Sequence, residues 1–258
     1  FMGWIDRNFL QLGREVRLSF LPPLMVYAAY GISALTGIVG AFVVKDYLDL
    51  SAKDLAILGF WVGIPWALKM PVGHFVDLYW RYKAGLVYLG AILVACSLLI
   101  MVGLLSNPDM MRQTMSTAKW FVLSSLLAPV GYVLQDAVAD AMTVEAVPRF
   151  DDSGQPIEAK LQRSMHTTMQ TLGRVALIGG GVLVGFVNVI LLEGVQDLAK
   201  DQQAAVYAKI YMLALIIPLV SIIGVTLAGH LRRRARNRLR AQNLSEEEIR
   251  RRTEGQSE

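Results

Sequence analysis

Six stretches of this sequence stay apolar for longer than the ~20 residues that carry an α-helix across a bilayer, and few folds accommodate that. They run roughly from Phe20 to Val44, Asp54 to Trp80, Ala84 to Leu105, Ala118 to Val147, Ser164 to Leu192 and Ala204 to Leu231. In hydrocarbon each backbone N–H and C=O must find its partner within the protein, so apolar runs of this length predict helices. The expected fold is all-α: a polytopic membrane protein with a six-helix transmembrane bundle over 20–231. A cytoplasmic amphipathic segment is expected at 1–19, and a basic, charged tail or linker at 232–258. Only 18% of the 258 residues are charged, well below the ~25% of a soluble domain. Pro65, Pro71, Pro129 and Pro218 fall inside spans, which bundles tolerate because neighbouring groups satisfy the freed carbonyls.

Lysine and arginine set the expected orientation. One side carries Arg7, Arg14, Arg17, Arg81, Lys83, Arg149, Lys160, Arg163 and the cluster from Arg232 to Arg252. The other carries only Lys45, Lys53, Arg112, Lys119, Lys200 and Lys209. The first side is read as cytoplasmic, with both termini there, in a plasma or bacterial inner membrane. The acidic segment around Asp46 and Asp49 then lies outside. Phe1 to Arg17 reads as amphipathic rather than as a secretory signal. The lone Cys96 excludes an intrachain disulfide, and the net charge of +4 calls for no nucleic-acid partner. The basic stretch after His230 extends span six; it either rests on anionic headgroups or serves as ordinary anchoring and a linker. Ser245 is placed to N-cap a short charged helix.

Four ionisable residues interrupt the apolar runs: Lys69, Asp136, Asp140 and Arg174. A charge at mid-membrane faces a partner or a water-filled cavity. Lys69 is eleven residues before Trp80, Asp136 eleven before Val147, and Arg174 ten after Ser164. All three therefore lie roughly 15–17 Å from the same boundary at 1.5 Å per residue. Asp140 follows Asp136 by one turn on the same face. Such a quartet suits a midplane site: Lys69 and Arg174 receive an anion, the guanidinium as a fork, and Asp136 or Asp140 carries a coupling proton. The alternative is a structural ion-pair network joining spans two, four and five. Gln170, one turn before Arg174, adds a donor or acceptor to the same site or an interhelical hydrogen bond.

Gly73, Asp77 and Arg81, each four residues apart, mark the connection between spans two and three as a tight hairpin. Gly73 would permit close helix approach, and Asp77 and Arg81 would cap and pair at the helix ends. The spacing resembles the gating-loop motif of the major facilitator superfamily, although Tyr79 and Trp80 stand where a glycine usually follows the acid. Three further motifs resemble one branch, the folate–biopterin transporter family. They are Pro65-Trp66 with Lys69-Met-Pro71 and Asp77 in span two, the paired aspartates Asp136 and Asp140 followed by Val144-Glu145 in span four, and Gly173-Arg174 in span five.

That resemblance implies one half of a two-times-six-helix fold, with the substrate site between the halves. It implies symport of folates, pterins or related organic anions, often with protons. It also implies a second six-helix half as partner: a C-terminal half, a second copy or a larger membrane complex. Carried over residue by residue, it assigns Lys69, Asp136, Asp140 and Arg174 to the site. Glycines 31, 37, 40, 179, 180, 181 and 185 suggest close packing of spans one and five, and Tyr27, Tyr30, Ser33 and Thr36 give span one a partly polar face. His74, His166 and His230 are too dispersed to assign a metal site. No nucleophile–base pair, phosphate loop or cofactor motif is present, so an enzyme is not expected. A non-transporting assembly subunit on the same scaffold, for example beside a photosynthetic complex, is the competing expectation.

Overall fold

Prolines and small residues divide three of the six spans into half-helices. In the computed structural model, which describes residues 18–47, 52–150, 155–242 and 244–253, span one comprises α1 (Leu21–Ile32) and α2 (Ala34–Tyr47), broken at Ser33. Span two comprises α3 (Ala52–Ala67) and α4 (Lys69–Leu78), broken at Leu68. Span three is α5 (Lys83–Ser106), and a short α6 (Pro108–Thr114) leads to span four, α7 (Thr117–Ala146). Span five is α8 (Ala159–Leu192), and span six comprises α9 (Lys200–Ala214) and α10 (Ile216–Ala241), broken at Leu215. A short α11 (Glu246–Thr253) follows.

Two breaks have a direct cause. Proline lacks the N–H that would bond four residues back, so Pro71 frees the carbonyl of Ala67 and Pro218 that of Ala214. Each freed carbonyl lies one residue before a break. At Ser33 no proline is involved; a Gly31-x-Ser33 pair permits the bend, and the Thr36 hydroxyl donates to the Ser33 carbonyl at 3.1 Å. Pro129, by contrast, sits buried within an unbroken α7.

All six spans predicted from the sequence are present as helices long and apolar enough to cross a membrane. The fold is all-α, with no strand among the described residues beyond an isolated Phe150–Pro156 bridge. The amphipathic segment over 1–17 and residues 48–49 of the acidic connection lie outside the described residues, as does Asn243.

Spans three and four make the closest pair, and span one packs on five, six and four. Span two touches chiefly span four, and its most apolar stretch contains no buried residue. One apolar core, with Val39, Val94, Leu98, Phe121, Tyr207 and Ile217, fills one end of the bundle. A second, with Val26, Val76, Val87, Val138 and Val225, fills the other.

Small residues set the close approaches. A Cβ on Gly131 would lie 2.5 Å from the Gly90 carbonyl oxygen, and one on Gly31 would lie 2.2 Å from the Leu177 carbonyl oxygen. Gly180 meets Ala28 and Gly31 in the same crossing. The close packing expected of these glycine faces thus holds at Gly31 and Gly180, where spans one and five meet each other, whereas Gly37, Gly179 and Gly185 face open space. Gly73 also faces open space, which corrects its expected role: no helix packs closely against it.

The ends of four spans come together at one end of the bundle. Glu145 pairs with both Lys83 and Arg232, and the Ser19 hydroxyl donates to the Ala146 carbonyl at 3.1 Å. Past this end α10 continues as the arginine-rich extension. The Ser245 hydroxyl accepts the Glu248 N–H at 3.2 Å, as its predicted N-cap role requires.

Candidate functional site

The break at Leu68 makes Lys69 the first residue of α4, so the positive end of that half-helix adds to the field around the ammonium. Lys69 reaches across to span four, where its Nζ lies 2.5 Å from Asp136 Oδ2 and 2.9 Å from Asp140 Oδ2. The two carboxylates are one helical turn apart, which lets a single ammonium bridge them. Asp136 is buried, with its side chain 8% exposed, while Lys69 and Asp140 remain 37% and 49% exposed. The Tyr27 hydroxyl from span one donates to the second oxygen of Asp140, and Thr143 donates to the Asp140 carbonyl at 2.6 Å.

Aromatic and small residues fix this group. Gly173 of span five lies flat against Tyr27: a Cβ there would come within 2.9 Å of the ring. Tyr30, one turn along span one, packs against Trp66 and Tyr132 with ring centroids 5.2 and 5.5 Å away. Span two is thereby held to spans one and four at the level of the charges. Next to the site Gln135 is buried; its Oε1 accepts the Ser221 hydroxyl at 2.9 Å, while its amide nitrogen has no partner.

Three of the four intramembrane charges therefore converge, and of the three residues counted to one depth Lys69 and Asp136 meet. Arg174 does not join them. It is exposed, makes no ion pair or hydrogen bond among the described residues, and stands beside Gly173 on the rim. Gln170 is likewise exposed and apart from the carboxylates. The quartet is thus a triad completed by Tyr27, with Arg174 and Gln170 on an adjoining open face.

The hairpin expectation also changes. Asp77 and Arg81 are exposed and form neither a pair nor a cap among the described residues. Asp77 lies in the last turn of α4, where the helix's negative end repels a carboxylate. Lys83 takes the anchoring role instead, lying 3.9 Å above the Trp80 ring while it pairs with Glu145. Glu145, at the end of span four, is the junction of spans three, four and six.

Among the described residues no group of histidine, cysteine and acidic side chains is placed to hold a metal. Fold and site define an all-α membrane protein of six apolar spans, with a charged cluster joining spans one, two and four. No family model, curated protein or solved structure matches the chain.

Proposed function

We propose that this chain is one six-span half of a secondary transporter for a small organic anion, of the folate or pterin kind, working by alternating access with proton coupling. One observation carries the proposal: Lys69 and Asp140, at mid-membrane depth, are more than a third exposed. Charges at that level are not left facing hydrocarbon, so the open side of the triad adjoins water or a second protein wall. Arg174 and Gln170 open onto the adjoining face. The triad carries one cation against two carboxylates, so uptake of one proton or approach of Arg174 would neutralise it. An anionic substrate drawn to Lys69 and Arg174 would compete with the carboxylates for the ammonium, linking substrate binding to carboxylate protonation. The resemblance of spans two, four and five to the folate–biopterin family supports the solute class. The distribution of basic residues supports cytoplasmic termini.

The test is uptake of labelled folate and pterin by cells expressing the protein, with Lys69→Ala and Arg174→Ala as variants. Both variants should reach the membrane and lose uptake. Normal uptake by a well-folded Lys69→Ala protein would defeat the proposal.

The exposed apolar stretch of span two also suits a second reading, a non-transporting subunit whose spans two and five pack against a larger membrane complex. Stable co-purification with such a complex, together with no uptake of any tested anion, would favour it.

A further inference from the structure

At the basic end of the bundle a cavity of about 560 Å³ opens between the start of α1, the end of α7 and the extension of α10. Its volume falls within the range of small-ligand clefts, roughly 300–1,000 Å³. Its inner wall is apolar, including Pro23 and Met142, and its outer wall carries Arg149, Arg232 and Arg238. Glu145 also lines it, but that carboxylate already serves Lys83 and Arg232. Arg149 is half-buried, and neither its guanidinium nor that of Arg238 has a partner among the described residues. Among the described residues, three guanidinium groups thus face the cavity against one engaged carboxylate.

Two guanidinium groups without partners around a single cavity suit an anion with several oxygens, which each can grip as a fork. The depth narrows the choice. Arg232 is the first charged residue after the apolar run of span six, so the cavity straddles the level where hydrocarbon gives way to headgroups. Apolar lining below and arginines above match the two parts of a phospholipid. Basic pockets between transmembrane helices hold anionic headgroups in this way.

We propose that this cavity binds the phosphate of an anionic phospholipid, with Arg149 and Arg238 as its principal ligands and Arg232 as a third. The site is separate from the Lys69 triad and does not depend on the transport proposal. Lipid seated there would tie α10 to the start of α1 and the end of α7, adding to the packing of α10 on α1 and to the contacts of Glu145 and Ser19.

The test uses the purified protein in phosphatidylcholine nanodiscs with or without phosphatidylglycerol, and native mass spectrometry to count retained phosphatidylglycerol. Arg149→Gln with Arg238→Gln should weaken retention by about fivefold per arginine. Arg238→Gln alone, at an exposed position, should give about fivefold and keeps the test valid should the double variant fold poorly. Arg233→Gln with Arg234→Gln removes the same charge from residues outside the cavity and should change retention less than twofold. Equal losses in the two double variants would mean diffuse surface attraction and would overturn the site, as would absence of phosphatidylglycerol retention by the wild type. Stabilisation of the detergent-solubilised protein by inorganic phosphate, dependent on Arg149 and Arg238 but without preference for phosphatidylglycerol, would overturn the lipid assignment in favour of a soluble phosphate.

Discussion

Lys69 is held by two carboxylates, and the three groups are unequal in ways that predict different consequences of removing each. Asp136 is nearly enclosed and Asp140 is half open. Removing Lys69 leaves Asp136 buried with no cation beside it. A fully buried ion costs several kcal/mol when its partner is lost; the open side of this triad reduces that, and Lys69→Ala should destabilise by about 1–3 kcal/mol. Lys69→Ala with Asp136→Asn should recover much of the loss, because no buried charge is then left alone. Thermal unfolding of both single variants and the double variant in detergent measures this, and strictly additive effects would show that the pair is uncoupled. Asp140, exposed and reached by Tyr27, faces the open side of the triad, so Asp140→Asn should lower uptake more than Tyr27→Phe does in the same assay. That Lys69 and Asp136 lie level with each other was legible in the sequence because rise per residue is fixed. The direction each side chain faces was not. Arg174 follows Gly173 by about 100° around the helix, and Gly173 is the residue that meets Tyr27. Nothing local to span five announces that Gly173, rather than Arg174, faces span one.

Helix pairing follows a pattern that becomes clear only when two spans are compared. Gly90 and Ser97 lie seven residues apart on α5, and Ser124 and Gly131 seven apart on α7. The helices run antiparallel, so Gly90 meets Gly131 while Ser97 meets Ser124. The serines donate to one another's carbonyls at 2.8 and 2.9 Å. The small residues let backbones approach, and the hydroxyls supply the interhelical bonds that lipid cannot. Since a Cβ at Gly131 would meet a carbonyl oxygen at 2.5 Å, even Gly131→Ala requires a backbone shift. It should cost about 1–3 kcal/mol, the usual penalty for overpacking, whereas Gly85→Ala on the same α5, facing open space, should stay within about 0.5 kcal/mol. Comparable midpoints for both variants in a detergent melt would disprove the crossing. The breaks near Pro71 and Pro218 could be anticipated from the missing proline N–H. The break at Ser33 and this glycine–serine seam could not, since each depends on which span lies alongside.

Across the whole molecule, the order and number of spans were legible because hydropathy reports burial in lipid directly. Adjacency was not, because every apolar face looks alike until packing chooses among them. The sorting of basic residues to one end is supported by contact: Ser19 bonds the end of span four, and Lys83, Glu145 and Arg232 tie the ends of spans three, four and six together. Asp109, on α6 between the opposite ends of spans three and four, is 92% exposed. The two ends therefore offer clean labelling positions. Cys96 lies within span three, exposed on its apolar face, and should resist a membrane-impermeant maleimide in the intact membrane. If the basic end faces the cytoplasm, as lysine and arginine bias predicts, Asp109→Cys should label on intact cells. Arg234→Cys should label only after permeabilisation. The reverse pattern would invert the topology and place the arginine-lined cavity in the outer leaflet, whereas labelling of both positions from one side would mean that one of spans four, five and six does not cross.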